Sequence, residues 1–229
     1  MPESPDAAVP RAGEVAYPPP GRPEPFWPAL LCVLAAIGLQ LALPPRLQVG
    51  PRWLVPALEA VLLVGLSLAT PMQLERPHRK RRAAALSMTA VVSAGNAVSL
   101  ALLTHYLLHH NVSNGRELVI SGSLIWLTNV LIFGLWYWEV DRGGAGRRAI
   151  GHDLAPDLLF PQMAGGTWAP QHWRPQFIDY LYVSLTNATA FSPTDTMPLT
   201  WQAKLLMGLQ SLVSLVTIGL IVSRAVNIL

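Results

Sequence analysis

The run from Trp201 to Val226, WQAKLLMGLQSLVSLVTIGLIVSRAV, carries Lys204 and Arg224 as its only charged residues and is long enough to cross a bilayer core as one helix. A chain built around such a run must either bury it in a large core or place it in lipid. Four further apolar runs favour lipid: about Phe26–Leu43, Trp53–Thr70, Ala83–Leu108 and Leu118–Trp138. They follow one another too closely for separate soluble cores. Composition agrees, with 13% charged residues where a soluble domain usually has about 25%. Hydrophobic residues make up 52% of the chain and its mean hydropathy is +0.37.

Polar residues inside these runs narrow the reading. Glu59 lies about two turns into the second run as a candidate intramembrane carboxylate. The third run holds Ser87, Thr89, Ser93, Gly95, Asn96 and Ser99, small and polar residues that suit close helix packing. The fourth holds Asn129 and ends in Trp136-Tyr137-Trp138, an interfacial aromatic signature. A sixth apolar stretch, Phe177 to Ala188, is too short to cross. It is followed by the polar, proline-containing AFSPTD, Ala190 to Asp195, and then by the last full run. A half-length helix, an irregular segment and a full span make the outline of a re-entrant loop, which is tolerated at membrane depth only where it lines a cavity or is buried in protein. The expected fold is therefore all-α and polytopic, with about five transmembrane helices and one re-entrant pore-type helix.

The net charge of +3 and pI near 9.4 serve topology rather than phosphate binding, and no nucleic-acid partner is expected. The loop before the third run, ERPHRKRR, and the loop after the fourth, with Arg142, Arg147, Arg148 and Arg174, concentrate the positive charge. Two runs separate them, so they share a side, which the positive-inside rule makes cytoplasmic. The N-terminus falls on that side too, and the expected location is the plasma (inner) membrane. Residues 1–25 are dense in proline and lack the apolar segment of a cleavable signal, so a disordered tail is expected there. Cys32 is the only cysteine, which excludes an internal disulfide and a cysteine zinc cluster.

From Asp179 onward the chain resembles the pore domain of the potassium-channel superfamily. The matching positions are Asp179, Leu181, Tyr182, Ser184, Thr186, Thr189, Asp195, Pro198 and Thr200, without a gap, and Ser223-Arg224-Ala225-Val226 stands near the family's inner-helix end. The chain is also similar to a group of bacterial polytopic membrane proteins that carry WYWE-x-D-x-GG before such a loop, matched here by Glu139, Asp141, Gly143 and Gly144. The resemblance implies three regions: the tail 1–25, a three-helix membrane region 26–115, and a pore-domain-like region 116–229. It implies a pore helix carrying Asp179, Tyr182, Ser184 and Thr186, and a lining of Thr189, Phe191, Ser192, Pro193, Thr194 and Asp195. It further implies a homo-oligomer, four-fold in that family, with monovalent cations as partners beside the lipid bilayer.

The filter positions depart from the family. Where it has T-V-G-Y-G-D, this chain has Ala190-Phe191-Ser192-Pro193-Thr194-Asp195. Ser192 and Thr194 replace the glycines that give the filter its left-handed backbone, and Pro193 fixes φ and removes an N–H. Potassium selectivity through a ring of backbone carbonyls is therefore not expected. The charge pattern also has the loop enter from the cytoplasm, whereas the family's dips from outside. Either the pore is inverted, as in glutamate-receptor channels, or the charge rule does not hold here.

Other readings stand beside the pore. Ser192-Pro193-Thr194-Asp195 fits a helix N-cap, and Asp195 fits a turn or a pair with Lys204. Glu139 and Asp141 fit a membrane-edge cap, with a salt bridge to Arg142. His105 and His109 share a helix face at metal-ligand spacing, but no matching carboxylate or second pair accompanies them, so they are read as interfacial histidines and only as weak metal candidates. No phosphate loop, nucleophile elbow or zinc-protease motif occurs, so no enzyme activity and no cofactor are expected. The function classes left are a cation pathway without potassium selectivity, a non-conducting scaffold that keeps the pore-loop fold, and a small proton-coupled transporter using Glu59 or Asp195.

Overall fold

The computed structural model describes residues 24–25, 27–48, 79–109, 115–150, 154–164, 173–190 and 195–226. Six helices occur among them: α1, Trp27–Ala42; α2, Arg79–His109; α3, Gly115–Val140; α4, Ala145–Ile150; α5, Phe177–Ala190; and α6, Trp201–Val226. Short 3-10 turns lie at Pro45–Leu47, Asp141–Gly143 and Pro161–Met163. The only strands described are two residues each, β1 (Leu158–Leu159) and β2 (Met197–Pro198), paired antiparallel with Leu158 opposite Pro198. The protein is thus helical, with one small strand pairing that the sequence reading does not include.

Three helices are long and apolar enough to cross a membrane, over Arg82–His109, Gly115–Gly143 and Trp201–Arg224. They coincide with the third, fourth and fifth expected spans. The first expected span appears as α1, an apolar helix of 16 residues. The second, with Glu59, lies outside the described residues, as does the tail up to residue 23.

α3 is the hub of the bundle, packing against α1, α2, α5 and α6. Hydrogen bonds fix which end of each helix lies where. Arg148, just beyond α3, binds Glu24, just ahead of α1, through Nε at 2.8 Å and Nη2 at 2.9 Å. This is the near end. At the far end Arg46, beyond α1, pairs with Glu117 at the start of α3. Arg224, at the close of α6, reaches the Leu107 carbonyl at the close of α2 at 3.0 Å.

Close approach depends on small residues. A Cβ at Gly134 would sit 3.3 Å from Leu181 Cα, so its absence lets α5 lie against α3. At Gly122 a Cβ would meet Ile221 of α6 at 2.6 Å. α1, α2 and α3 are cross-tied by Gln40 Nε2 donating to the Val92 carbonyl at 3.3 Å and Trp136 Nε1 donating to Ser93 Oγ at 2.9 Å.

Candidate functional site

α5 has 14 residues, about 21 Å at ~1.5 Å per residue. Its start is half of a capping box: the Asp179 carboxylate reaches back to accept the Gln176 N–H at 2.7 Å, while the Asp179 N–H donates to the Gln176 backbone carbonyl. Half-burial raises the Asp179 pKa above the ordinary carboxylate value, partly countered by that N–H. One residue on, Tyr180 donates its hydroxyl to Asp141 Oδ2 at 2.7 Å, which anchors α5 at the near end. After α5 the chain is at the near end again. The Leu199 N–H donates to the Asp157 carbonyl at 2.9 Å, and Thr200 Oγ1 donates to Asp157 Oδ1 at 2.7 Å. Thr200 also accepts the Ala203 N–H at 3.3 Å, capping α6. α5 therefore enters the bundle and the chain leaves it at one end.

The near end is held by a charged knot. Asp141 is fully buried; Oδ1 accepts the N–H groups of Asp157 at 2.8 Å and Leu158 at 3.3 Å. The Arg142 guanidinium lies 3.8 Å from Oδ2, so the pair expected from sequence is present but long. Arg142 adopts φ 51°, rare for a residue with a side chain, and its N–H donates to Asp157 Oδ2 at 2.8 Å. Arg148 spends Nη1 on the carbonyls of Trp138 at 2.6 Å and Asp141 at 2.8 Å, in addition to its fork on Glu24. Burial alone would lower the Arg148 pKa, but Tyr180, Glu24 and Asp141 outweigh it and hold the guanidinium charged, above its ordinary value. Trp138 Nε1 donates to Glu24 Oε2 at 2.6 Å. Glu139 is also buried.

A second polar layer lies deeper. Ser184 donates to the Val130 carbonyl at 2.6 Å and accepts Gln210 Nε2 at 2.7 Å. Asn187 donates to Gln210 Oε1 at 2.9 Å and to the Met207 carbonyl at 3.0 Å, while Tyr137 donates its hydroxyl to the same Gln210 oxygen. Asn129 donates to Ser214 Oγ at 3.0 Å, one turn further along α6. All of these residues are buried. Away from water an unmet polar group is costly, so the mutual satisfaction of this layer fixes α5 between α3 and α6.

The residues expected at the pore divide accordingly. Ser184 faces the interior of the helix bundle. Tyr182 and Thr189 are exposed, on one face of α5 with Ile178 and Leu185. Thr186 and Thr189 turn their hydroxyls back onto carbonyls of their own helix. Phe191, Ser192, Pro193 and Thr194 lie outside the described residues. Asp195 is exposed, and no ion pair joins it to Lys204 among the described residues. Residues 195–198 are not helical: Asp195 lies in a bend and Met197–Pro198 form β2. His105 and His109 are stacked at 4.2 Å, with His109 Nδ1 3.0 Å from the His105 carbonyl oxygen, and no metal-type cluster is found among the described residues.

Sequence reasoning missed Glu24, Arg148 and Asp157 as fasteners of the near end. It also missed Tyr137, Asn187 and Gln210 as the deep layer. The signal was present on α6, where Gln210, Ser214 and Thr217 fall at i, i+4 and i+7, and all three are buried. Comparison of the chain with protein-family models, with curated proteins and with solved structures gave no match.

Proposed function

We propose that this chain is a multi-pass membrane protein of the plasma (inner) membrane whose α3, α5 and α6 act as outer helix, pore-type helix and inner helix. Copies assemble around the loop after α5 to pass cations without potassium selectivity. The observation that carries the reading is the course of α5, which dips from the near end beside α6 and whose chain returns to that end. A helix so placed directs its partly negative C-terminal carbonyls inward, where they favour a cation.

The supporting features are few and specific. The outer face of α6 is apolar, with Leu205, Leu209, Leu212 and Leu215, as lipid or neighbouring copies require, while that of α5 sets Tyr182 and Thr189 beside Ile178 and Leu185. Arg82, Arg142, Arg147 and Arg148 gather at the near end, which the positive-inside rule assigns to the cytoplasm.

A second reading has its own observation. The polar side chains Ser184 and Asn187 of α5 are used up within the protomer, as a non-conducting scaffold that keeps the pore-loop fold would use them. Cation flux in liposomes, compared between wild type and Asp195→Asn, separates the two. Flux of sodium and potassium at similar rates, reduced in the variant, supports the pathway. Folded protein that passes no cation at several pH values sinks it and leaves the scaffold.

A further inference from the structure

We propose that the cleft beside the first turns of α6 binds an anionic phospholipid, with Arg82 and Arg147 on its phosphate and an acyl chain along Trp201, Leu205 and Leu209. The proposal rests on the reading of the near end as a membrane edge and is independent of conduction. The cleft has a volume of about 500 Å³ and is shared by the start of α2, the end of α3, the glycine turn and the start of α6.

Its chemistry is split. One side presents Arg82 and Arg147; the other is the apolar wall of Trp201, Leu205, Leu206 and Leu209. The carboxylate on the lining, Asp157, has both oxygens engaged, by Thr200 and by the Arg142 N–H. Arg148 is paired with Glu24 and Arg142 lies by Asp141, whereas neither Arg82 nor Arg147 has an ion pair among the described residues. Arg82 Nε is also buried without a hydrogen-bond partner. Buried Glu139 is close by: a Cβ on Gly144 would be 2.9 Å from its Oε2 and 3.8 Å from Arg82 Nε. The glycines give the cleft its form: Gly143, at φ 78°, has Arg147 laid across it, where a Cβ would stand 2.7 Å from Arg147 Cδ.

Two arginines suit a phosphate because their planar donors meet its oxygens in pairs. The apolar wall directly beside them suits a ligand that is anionic at one end and hydrocarbon beyond, which a free phosphate is not. Exposed Trp201 at the start of α6 matches the interfacial depth at which aromatic rings sit. Basic pockets between membrane helices on the cytoplasmic side hold acidic headgroups for the same electrostatic reason.

The test compares binding of the full chain to vesicles of phosphatidylcholine alone, to the same vesicles with phosphatidylglycerol, and to inorganic phosphate in detergent. Thermal stability and native mass measurement are the readouts. Phosphatidylglycerol should be retained and should raise Tm, with affinity falling about fivefold for each arginine changed in Arg82→Gln and Arg147→Gln. Leu209→Trp, on an exposed face where it disturbs no packing, should weaken lipid binding by filling the wall, and it keeps the test open if Arg82→Gln fails to fold. Equal retention of phosphatidylcholine, or an equal Tm rise from inorganic phosphate, overturns the proposal. A chain that inserts in vesicles without preferring phosphatidylglycerol overturns this site alone. A chain that inserts in none overturns the membrane reading and the site with it.

Discussion

The carboxylate of Asp141, fully buried where α3 ends, accepts the hydroxyl of Tyr180 from the first turn of α5 at 2.7 Å. One hydrogen bond thus joins the end of α3 to the start of α5, where both meet α6. Tyr180→Phe keeps the ring against Phe160, 5.4 Å away, and removes only the donor. It should cost about 1.5–3 kcal/mol, the usual worth of a hydrogen bond to a charged group. Asp141→Ala should cost more, because it also strands the N–H groups of Asp157 and Leu158. Denaturant unfolding in detergent micelles measures both.

The deep layer predicts non-additivity. Asn187→Leu and Gln210→Leu should each cost about 0.6–2 kcal/mol, since each strands the other's amide in an apolar setting. The double variant should cost clearly less than the sum, because no amide partner is left unpaired between them. A double-mutant cycle on unfolding free energies reads the coupling; simple additivity would show that the two amides do not depend on one another.

How much of this was legible in sequence can be followed residue by residue. The last expected span, Trp201–Val226, matches α6 end to end, because a long, mostly apolar run without proline has nothing in it to stop a helix. The half-length helix was legible for the same reason, although it continues to Ala190 rather than Ala188. The depth of Asp141 was not. A carboxylate beside Arg142 reads as an edge pair, and its main partners, Tyr180 and the N–H groups of Asp157 and Leu158, are distant in sequence. Asp195, which the motif singled out, is exposed, and the fully buried carboxylate is Asp141, over fifty positions earlier. Pairings across loops depend on tertiary packing, which no local pattern encodes. Gly143 and Gly144 stood in the sequence motif without a role, and both prove to have positive φ in the turn that presents Arg147.

Glycine substitutions should separate contact from propensity. Gly134→Ala places a methyl 3.1 Å from Leu181 Cδ1 and 3.3 Å from its Cα, so α5 must shift; a loss of about 1–3 kcal/mol is expected from the overpacking. Gly208→Ala meets nothing within 4 Å and should be neutral, or stabilising by up to about 1 kcal/mol from helix propensity. Thermal unfolding of the two variants beside wild type checks the order.

Asp179 sets a small pH dependence. Its pKa is raised in the folded chain by burial, so the folded state holds the proton more tightly than the unfolded one. Its contribution is full below the unfolded carboxylate pKa and is lost as pH rises through the folded value. Asp179→Asn keeps a carbonyl for the Gln176 N–H and removes the titration. Wild type should therefore lose stability relative to this variant as pH rises across the weakly acidic range, and a constant difference would contradict the assignment.

Same-side labelling tests the re-entrant course of α5 most directly. Single cysteines at Ala155 and Leu199, both exposed and flanking α5, are placed in a Cys32→Ser background, with Arg116→Cys marking the far end. A membrane-impermeant maleimide applied to oriented vesicles should label Ala155→Cys and Leu199→Cys from one side and Arg116→Cys from the other. Labelling of Ala155→Cys and Leu199→Cys from opposite sides would make the segment between them a crossing and would contradict the re-entrant helix.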